Sequence, residues 1–303
     1  MNDINKILIA GAGTMGYSIA EIFADYDFDV TLYDIDEAPI QNAKENIAHD
    51  TNQSIADRIS YSWNTDTFKD VDLVIECIVE NINIKKDFYK TISQTVKPDT
   101  ILATNTSGLS INKLARAVKA PERFIGMHWF NPSHLIMLIE IIKGENTSDS
   151  VAQAVHDLCL KINKKPVTVN KDLPGFVANR IQFAVLREAL SLVDQGAVQP
   201  EGIDDIMKYG LGFRYACAGP LEVADFGGLD TFHHISEYLM EDLCAEKGIP
   251  PLLKKLYDEG NYGVKSGKGF YDYSDGKGKK AVSERNRKLT TLFNALYNQK
   301  SNE

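Results

Sequence analysis

A histidine and a glutamate lie twelve positions apart in consecutive apolar segments of this 303-residue sequence. His128 follows the run 124–127, and Glu140 interrupts the run 138–142. An imidazole titrates near neutral pH and suits proton transfer, whereas a lone carboxylate in a buried strand is costly without a partner. An antiparallel hairpin would place Glu140 beside His128, where it would set the ring tautomer and raise its basicity. The pair is a candidate for general acid–base catalysis, and a purely structural His–Glu pair is the alternative.

A glycine-rich turn near the amino terminus is the second candidate site. Gly11, Gly13 and Gly16 form a Gly-x-Gly-x-x-Gly motif that follows a β-rich run and opens a helical pattern, with Thr14 and Met15 inside it. Such a turn brings backbone and a helix N-terminus close to a pyrophosphate. We therefore count all five residues as cofactor-binding, against the alternative of a merely structural turn.

Asp34 closes the next β-rich run, 23 positions after Gly11. A carboxylate there can accept hydrogen bonds from both hydroxyls of an adenosine ribose, and it repels a 2′-phosphate. The three residues that follow, 35–37, include no lysine or arginine. The sequence therefore predicts NAD as the cofactor rather than NADP.

An alternating framework must position these residues. The first half of the chain alternates β-rich runs with helical periodicity, which is typical of parallel βαβ units, and after Gly175 the patterns are helical. We predict an α/β fold with a Rossmann-type, doubly wound, mostly parallel sheet and an all-helical C-terminal domain. The expected parts are an NAD-binding domain at 1–172, a linker at 173–177 and a helical substrate and dimerisation domain at 178–303. The predicted strands span 4–10, 28–33, 73–79, 100–103, 124–130, 137–142 and 167–169.

Composition excludes several classes of function. A formal charge of −9 argues against a nucleic-acid partner. The four cysteines form no Cys-x-x-Cys pair, so we expect neither a disulfide framework nor a metal site. No apolar run is long enough to span a membrane, and the amino terminus lacks a signal-peptide pattern. These features predict a cytoplasmic protein with no membrane partner.

Short motifs lie along nearly the whole chain, at 11–16, 76–81, 105–107, 126–132, 174–180, 219–222, Asp225 and 267–271. In this order they resemble the motifs of the L-3-hydroxyacyl-CoA dehydrogenase family, which includes 3-hydroxybutyryl-CoA dehydrogenases. The resemblance implies reversible NAD-dependent oxidation of a (3S)-3-hydroxyacyl-CoA to a 3-oxoacyl-CoA, with His128 as base and Glu140 orienting it. It also implies a homodimer formed through the helical domain, which closes over the substrate.

The resemblance also assigns roles to polar residues outside the pair. Ser107 would hydrogen-bond the 3-oxygen of the substrate, with capping of the helix at 111 as its alternative. Asn179 would contact the carbonyl region of the substrate, with a structural role as its alternative. Asn105, Glu80 and Lys85 would contact the cofactor, the last two at its nicotinamide and ribose end. For Lys85 a solvated helix position is the alternative.

Two departures from the family pattern bear on the substrate. The arm between Asp34 and Asp72 has 37 residues, which looks too short for the helical hairpin that contacts CoA in the family. Arg214 stands where many CoA-using relatives have an uncharged residue, and relatives that oxidise free hydroxy acids have an arginine that would clamp a carboxylate. A structural arginine paired with Glu222 or Asp225 is the alternative. We rank an acyl-CoA first and a free 3-hydroxy acid second.

Two classes without turnover complete the alternatives. A family member retained as an NADH-binding structural protein would not need the pair of His128 and Glu140. A nucleotide-sensing Rossmann regulator would lack the histidine, serine and asparagine set altogether. Among the other histidines, His233 and His234 are expected at a helix surface or a dimer contact, because adjacent helical residues point in different directions.

Overall fold

A computed structural model describes residues 3–50 and 53–297. The chain forms two compact units, Met1–Arg180 and Ile181–Glu303. The first unit contains an eight-stranded sheet, whose strands are β1 Lys6–Ala10, β2 Asp29–Tyr33, β3 Ile59–Ser62, β4 Leu73–Glu76, β5 Ile101–Thr104, β6 Phe124–Trp129, β7 Leu138–Lys143 and β8 Lys165–Val169.

The strand order is β3-β2-β1-β4-β5-β6-β7-β8. Every neighbouring pair is parallel except β6 and β7, which are antiparallel. All seven predicted strands are present, and the mostly parallel sheet is confirmed. The sequence missed β3, whose four residues alternate two serines with Ile59 and Tyr61 and form a short strand at the sheet edge.

Helices cover both faces of this sheet. They are α1 Thr14–Asp25, α2 Glu37–Asp50, α3 Gln53–Ala56, α4 Ile82–Thr95, α5 Ile111–Ala115 and α6 Asp149–Lys161, with 3₁₀ turns at Thr65–Phe68 and Pro121–Arg123. Successive residues of a strand point to opposite faces, so Ile7 and Ile9 pack with α1, α2 and α6 while Leu8 packs with α4 and α5. This two-sided core is the doubly wound arrangement that the sequence predicts.

The strand order reverses between β1 and β4. The chain runs outward from β1 through β2 to β3 and then returns to β4 on the other side of β1. In open α/β sheets a crevice opens at such a point, beyond the carboxyl ends of the strands. The glycine turn at 11–16 follows β1, so the topology puts it at this crevice.

The second unit is helical, as predicted. Its first helix begins at the end of the first unit, and two isolated bridges, Gly263 with Lys268 and Lys268 with Asp272, are its extended pairings among the described residues. None of the described helices is long and apolar enough to cross a membrane. The helices are α7 Ala178–Asp194, α8 Pro200–Ile206, α9 Gly212–Tyr215, α10 Pro220–Gly227, α11 Leu229–Asp242, α12 Pro251–Asp258 and α13 Lys277–Leu296, with a π-helical turn at Met207–Leu211.

A buried lysine holds the turn between β6 and β7. The Nζ atom of Lys164 donates to the carbonyl oxygens of Ser133 at 2.5 Å and Ile136 at 3.1 Å, and it lies 5.8 Å from the ring centroid of Trp129. No carboxylate among the described residues forms an ion pair with it. Burial therefore lowers the pKa of Lys164 from its usual 10.5 to about 8.

This shift makes stability depend on pH. Between about pH 8 and 10.5 the unfolded chain holds a proton on Lys164 that the folded chain has released, so this group makes the free energy of unfolding rise with pH. We expect the melting temperature of the wild type minus that of Lys164→Met to increase as the pH rises from 7 to 10. The control is Lys165→Met at the adjacent exposed residue. A wild-type-to-variant difference that stays constant across this range would contradict the assignment.

Candidate functional site

His128 and Glu140 are direct partners in the antiparallel pairing of β6 with β7. The Nδ1 atom of His128 lies 2.9 Å from Oε2 of Glu140, and the two residues are 3% and 2% exposed. The hairpin expected from the sequence therefore brings the two side chains together. No described residue hydrogen-bonds to Nε2 of the ring, which leaves that nitrogen for proton exchange with a ligand.

The second oxygen of Glu140 accepts two backbone hydrogen bonds. Oε1 accepts from the N–H groups of Val177 at 3.0 Å and Ala178 at 2.8 Å, where α7 begins. Burial acts to raise the pKa of this carboxyl, but the hydrogen bonds from His128, Ala178 and Val177 outweigh it and hold the pKa below its ordinary value. The carboxylate thus stays ionised, with one oxygen on the histidine and the other on the helix N-terminus.

Two aromatic rings flank the imidazole. The ring centroids of Phe130 and Phe176 lie 4.4 and 5.6 Å from that of His128. Phe176 is fully buried and has a φ of +53°, and it follows Gly175 at +75°. Two successive left-handed residues turn the chain so that Phe176 faces the histidine while the next two N–H groups face Glu140. The sequence did not single out Phe176 as a site residue.

Ser107 lies in the turn after β5 and is held by its backbone. Its N–H donates to Oε1 of Glu80 at 2.9 Å, and its carbonyl oxygen accepts from Nδ2 of Asn179 at 2.7 Å. The hydroxyl that caps α5 belongs to Ser110, which accepts from the N–H of Lys113. The capping role that was the alternative for Ser107 therefore falls to Ser110.

Asn105 ties this turn to the strand of the histidine. Its Oδ1 atom accepts from the N–H of Trp129 at 2.8 Å, and its Nδ2 atom lies 3.7 Å from Sγ of Cys77. The residue thus links the ends of β4, β5 and β6. All three ends lie at the carboxyl edge of the parallel strands, where ligands bind in such sheets.

The glycines of the first turn have different reasons to lack a side chain. Gly11 has a φ of +106°, and a Cβ there would lie 2.7 Å from the backbone of Cys77. A Cβ on Gly16 would lie 1.7 Å from the carbonyl oxygen of Gly11, so this glycine lets α1 pack on the turn. A Cβ on Gly13 would meet nothing within 4 Å, and the neighbouring Thr14 is exposed. Gly13 therefore faces open space of the kind a bound phosphate requires.

Asp34 stands at the end of β2 beside this turn. Its Oδ2 accepts from the N–H of Ala12 and its Oδ1 from the N–H of Ile35, both at 2.8 Å. A cavity of about 750 Å³ opens next to it and is mostly apolar, which is typical of a small-molecule site. Residues that line the cavity include Gly11, Gly13, Asp34, Ile35, Ile78, Ile84 and Phe88.

Lys85 does not line that cavity. It is 1% exposed, and its Nζ atom bonds Glu76, the carbonyl oxygen of Ile78 at 3.2 Å and, at 3.3 Å, Oε2 of Glu80. The sequence suggested a cofactor contact or a solvated lysine. The structure places Lys85 inside the fold, between two carboxylates, so the solvated alternative is wrong.

Arg214 lies on α9 in the helical unit. Its side chain is exposed and its guanidinium forms no hydrogen bond or ion pair with any described residue. Glu222 accepts instead from the N–H of Gly219 at 2.7 Å, where α10 begins. Pairing of Arg214 with Glu222 or Asp225, the structural alternative for this arginine, is therefore absent from the described residues.

Domain models and solved structures of known proteins match most of this chain. The sequence model of the 3-hydroxyacyl-CoA dehydrogenase NAD-binding domain matches residues 6–173, and that of the C-terminal domain matches residues 175–273. The probable 3-hydroxybutyryl-CoA dehydrogenase of Deinococcus radiodurans is 42% identical over 88% of this chain and all of its own. The crystal structure of (S)-3-hydroxybutyryl-CoA dehydrogenase from Ralstonia eutropha, 36% identical, superposes with a TM-score of 0.75 over 90% of this chain and all of its own.

A further relative has a different named substrate. The 5-formyl-3-hydroxy-2-methylpyridine 4-carboxylate 5-dehydrogenase of Mesorhizobium japonicum is 36% identical over 97% of this chain and 98% of its own. A crystal structure of an enzyme acting on this pyridine acid, described as an NAD⁺-dependent dismutase, superposes with a TM-score of 0.92 at the same coverage. The two matched domains and these relatives show that the chain belongs to the 3-hydroxyacyl-CoA dehydrogenase family and is an NAD-dependent oxidoreductase.

Proposed function

We propose that the chain interconverts a hydroxyl and a carbonyl group with His128 as the general base and acid. The observation that carries the proposal is the 2.9 Å contact between Nδ1 of His128 and a carboxylate anchored on its other side by two backbone N–H groups. Glu140 fixes the Nδ1–H tautomer and stabilises the charged ring, so Nε2 takes the hydroxyl proton. The reverse reaction returns that proton to the carbonyl oxygen.

The residues at the crevice where the strand order reverses, between β1 and β4, fit NAD. When bound, NAD⁺ accepts the hydride that leaves the carbon bearing the hydroxyl. Gly13 leaves room for the pyrophosphate at the start of α1, with Gly11, Thr14, Met15 and Gly16 completing the turn. Asp34 binds the adenosine ribose. Asn105, at the end of β5, binds the nicotinamide half, whereas the oxygens of Glu80 already accept from Thr106 and Ser107 and lie beside Lys85.

Ser107 and Asn179 orient the substrate in this proposal. The Ser107 hydroxyl is not used to cap α5, so it is free to donate to the reacting oxygen. Nδ2 of Asn179 holds the carbonyl oxygen of Ser107 and so ties the start of α7 to the turn that carries this hydroxyl. Positioning of this kind contributes to the rate by restricting the substrate to a reactive orientation.

Replacement of the base tests this chemistry. We expect His128→Ala to lower kcat by about 100- to 10,000-fold, because proton transfer loses its partner, while the Kd of NADH from fluorescence titration stays within twofold. His156→Ala, at a half-buried histidine of α6, is the control and should leave both quantities unchanged. An undiminished kcat in His128→Ala would refute the base assignment. Tight NADH binding by a wild type without turnover would favour the structural-protein alternative.

A free carboxylic acid is the substrate class that the contacts favour. The arm between residues 37 and 62 carries two cationic residues, Lys44 and Arg58, against four acidic ones. Nη1 of Arg58 donates to Oδ1 of Asp27 at 2.7 Å, and Nζ of Lys44 lies 5.5 Å from the ring centroid of Tyr61. CoA carries several phosphate charges that need such cations, and in this arm the acidic residues outnumber the cationic ones four to two.

The exposed guanidinium of Arg214 also favours a free carboxylic acid as the substrate. An exposed arginine without an acidic partner among the described residues can bind a carboxylate in bidentate fashion. The Mesorhizobium relative, which acts on a pyridine carboxylic acid, matches nearly the full length of both chains. We propose that Arg214 binds the carboxylate of a hydroxy or oxo acid.

A 3-hydroxyacyl-CoA is the second candidate, and it is the one that the sequence ranked first. The names of the Deinococcus and Ralstonia relatives favour it. In this case the reaction at His128 is unchanged, and the substrate would be a short-chain thioester such as 3-hydroxybutyryl-CoA. The two candidates differ in whether a carboxylate or a CoA group supplies the binding energy.

Parallel kinetics separate the two substrate classes. We expect NADH oxidation with acetoacetate or the pyridine acid of the Mesorhizobium relative, and Arg214→Met should raise the KM of the acid roughly 10- to 100-fold because a charge-assisted pair is lost. Arg285→Met on α13 is the control for loss of a surface charge. Turnover of acetoacetyl-CoA alone, unaffected by Arg214→Met, would establish the thioester instead.

We further infer that the helical unit forms a homodimer. Its buried hydrophobic side chains, among the described residues, are Leu190 and Val223. Tyr209, Leu221 and Phe226 are each at least 80% exposed. A unit of this size cannot be stable with so small a core, and apolar surface of this extent marks a protein interface.

The dimer has a direct test in sedimentation equilibrium. We expect a particle of about twice the 33.7 kDa chain mass at micromolar concentration, because a second copy covers the exposed apolar helices. Leu221→Asp/Phe226→Asp should shift the particle towards the monomer, whereas Glu259→Lys/Asp258→Lys on the end of α12 should not. A wild type that stays monomeric at about 10⁻⁴ M, a concentration well above the Kd of a stable dimer, would refute the dimer.

A further inference from the structure

We propose that Lys85 and Glu76 are positioning residues that hold Glu80, and through Glu80 the backbone of Ser107, rather than contacts of the cofactor. This proposal rests on the proposed function only for the role of Ser107. Two observations support the proposal: a buried ion pair at the end of β4, and a chain of contacts that runs from this pair to the turn after β5.

The pair of Lys85 and Glu76 lies entirely inside the fold. The two residues are 1% and 0% exposed, and Nζ of Lys85 bonds Oε1 of Glu76. An acidic partner stabilises the charge of a buried lysine, whereas burial without one disfavours the charge, as it does at Lys164. The ammonium group therefore stays where Glu76 holds it, at the first turn of α4.

Glu76 itself is fixed by three more donors. Its Oε2 accepts from the hydroxyls of Thr104 at 2.8 Å and Tyr89 at 3.2 Å, and its Oε1 accepts from the N–H of Ile78 at 2.8 Å. The hydroxyl of Tyr89 also lies 3.0 Å from the carbonyl oxygen of Ala103. A carboxylate with donors from β4, β5 and α4 has one position, so the lysine bonded to it has one position too.

Lys85 in turn holds one oxygen of Glu80. Its Nζ atom lies 3.3 Å from Oε2 of Glu80, whose side chain is 46% exposed. Oε1 of Glu80 accepts from the hydroxyl of Thr106 at 2.5 Å and from the N–H of Ser107 at 2.9 Å. Each oxygen of Glu80 thus has its own role, one towards the buried lysine and the other towards the serine turn.

The serine turn depends on that second oxygen. The hydroxyl of Thr106 donates to Glu80 and accepts from the N–H groups of Gly108 at 3.4 Å and Leu109 at 3.0 Å. Without the lysine, Glu80 is an exposed side chain with several rotamers. Its loss of position would release the N–H of Ser107 and the hydroxyl of Thr106 together.

The family resemblance implies a different role for Lys85, a direct contact with the cofactor. This contact requires a ribose hydroxyl to reach an ammonium group that is 1% exposed and is already surrounded by oxygens of Glu76, Ile78 and Glu80. A lysine that acts only through Glu80 gives up none of its bonds when the cofactor binds. Replacing Lys85 should therefore weaken NADH binding if it contacts the cofactor, and leave the Kd for NADH unchanged if it acts only through Glu80.

The decisive variant removes both charges of the pair. Lys85→Met alone would leave Glu76 buried and unpaired, so Glu76→Gln/Lys85→Met is used, in which the amide oxygen still accepts from Thr104. Lys90→Met, at an exposed lysine of the same helix, is the control. Melting temperature and circular dichroism verify that both variants fold.

Three measurements on each protein give the outcome. We expect the double variant to show about 10- to 100-fold lower kcat from a displaced Ser107, a Kd for NADH within twofold of wild type, and faster amide hydrogen exchange at residues 105–109. Lys90→Met should match the wild type in all three.

Two results would overturn the proposal. A Kd for NADH weakened tenfold or more, with exchange at 105–109 unchanged, would make Lys85 a cofactor contact. Unchanged exchange together with unchanged kcat would leave the pair without influence on the serine turn. The exchange measurement needs no substrate, so it decides the role of the pair even if the proposed reaction fails.

Discussion

The carboxylate of Glu140 cannot be buried without donors, and the donors it has come from two separate parts of the chain. His128 supplies one from the neighbouring strand, and the N–H groups of Val177 and Ala178 supply two from the start of α7. Both oxygens therefore accept hydrogen bonds. A shift of either partner would leave negative charge without a donor on a side chain that is only 2% exposed. The imidazole orientation, the β6–β7 hairpin and the first turn of α7 all depend on this one group.

The features that follow from side-chain type and spacing were predictable from the sequence. Apolar runs identified seven strands, because buried parallel strands are hydrophobic on both faces. The pairing of His128 with Glu140 followed from two such runs joined by a turn, and the register confirms it. The strand at Ile59–Ser62 was missed because a short strand at a sheet edge needs little hydrophobic character.

Features that depend on backbone groups or on long-range burial were not predictable. The N–H groups that bind Glu140 carry no side-chain signal, and any residue except proline could have supplied them. Lys85 looked like a helix surface residue or a cofactor contact, and only the packing of α4 on the sheet places it against Glu76. The left-handed backbone of Phe176 is likewise set by tertiary contacts, since an aromatic residue has no local preference for it.

The two sides of the candidate site share one construction principle. Glu76 on β4 and Glu140 on β7 are acidic residues within apolar strands, and both are almost fully buried. Each carboxylate has a basic side chain on one side and further donors from neighbouring segments on the other. Because a buried charge tolerates little displacement of its partners, each one holds the adjoining groups more firmly than an apolar residue would. One carboxylate thereby orients the imidazole and the other, in our proposal, orients the serine turn. In the proposed reaction, these two costly burials supply the rigidity that proton transfer from the hydroxyl oxygen and hydride transfer from its carbon require.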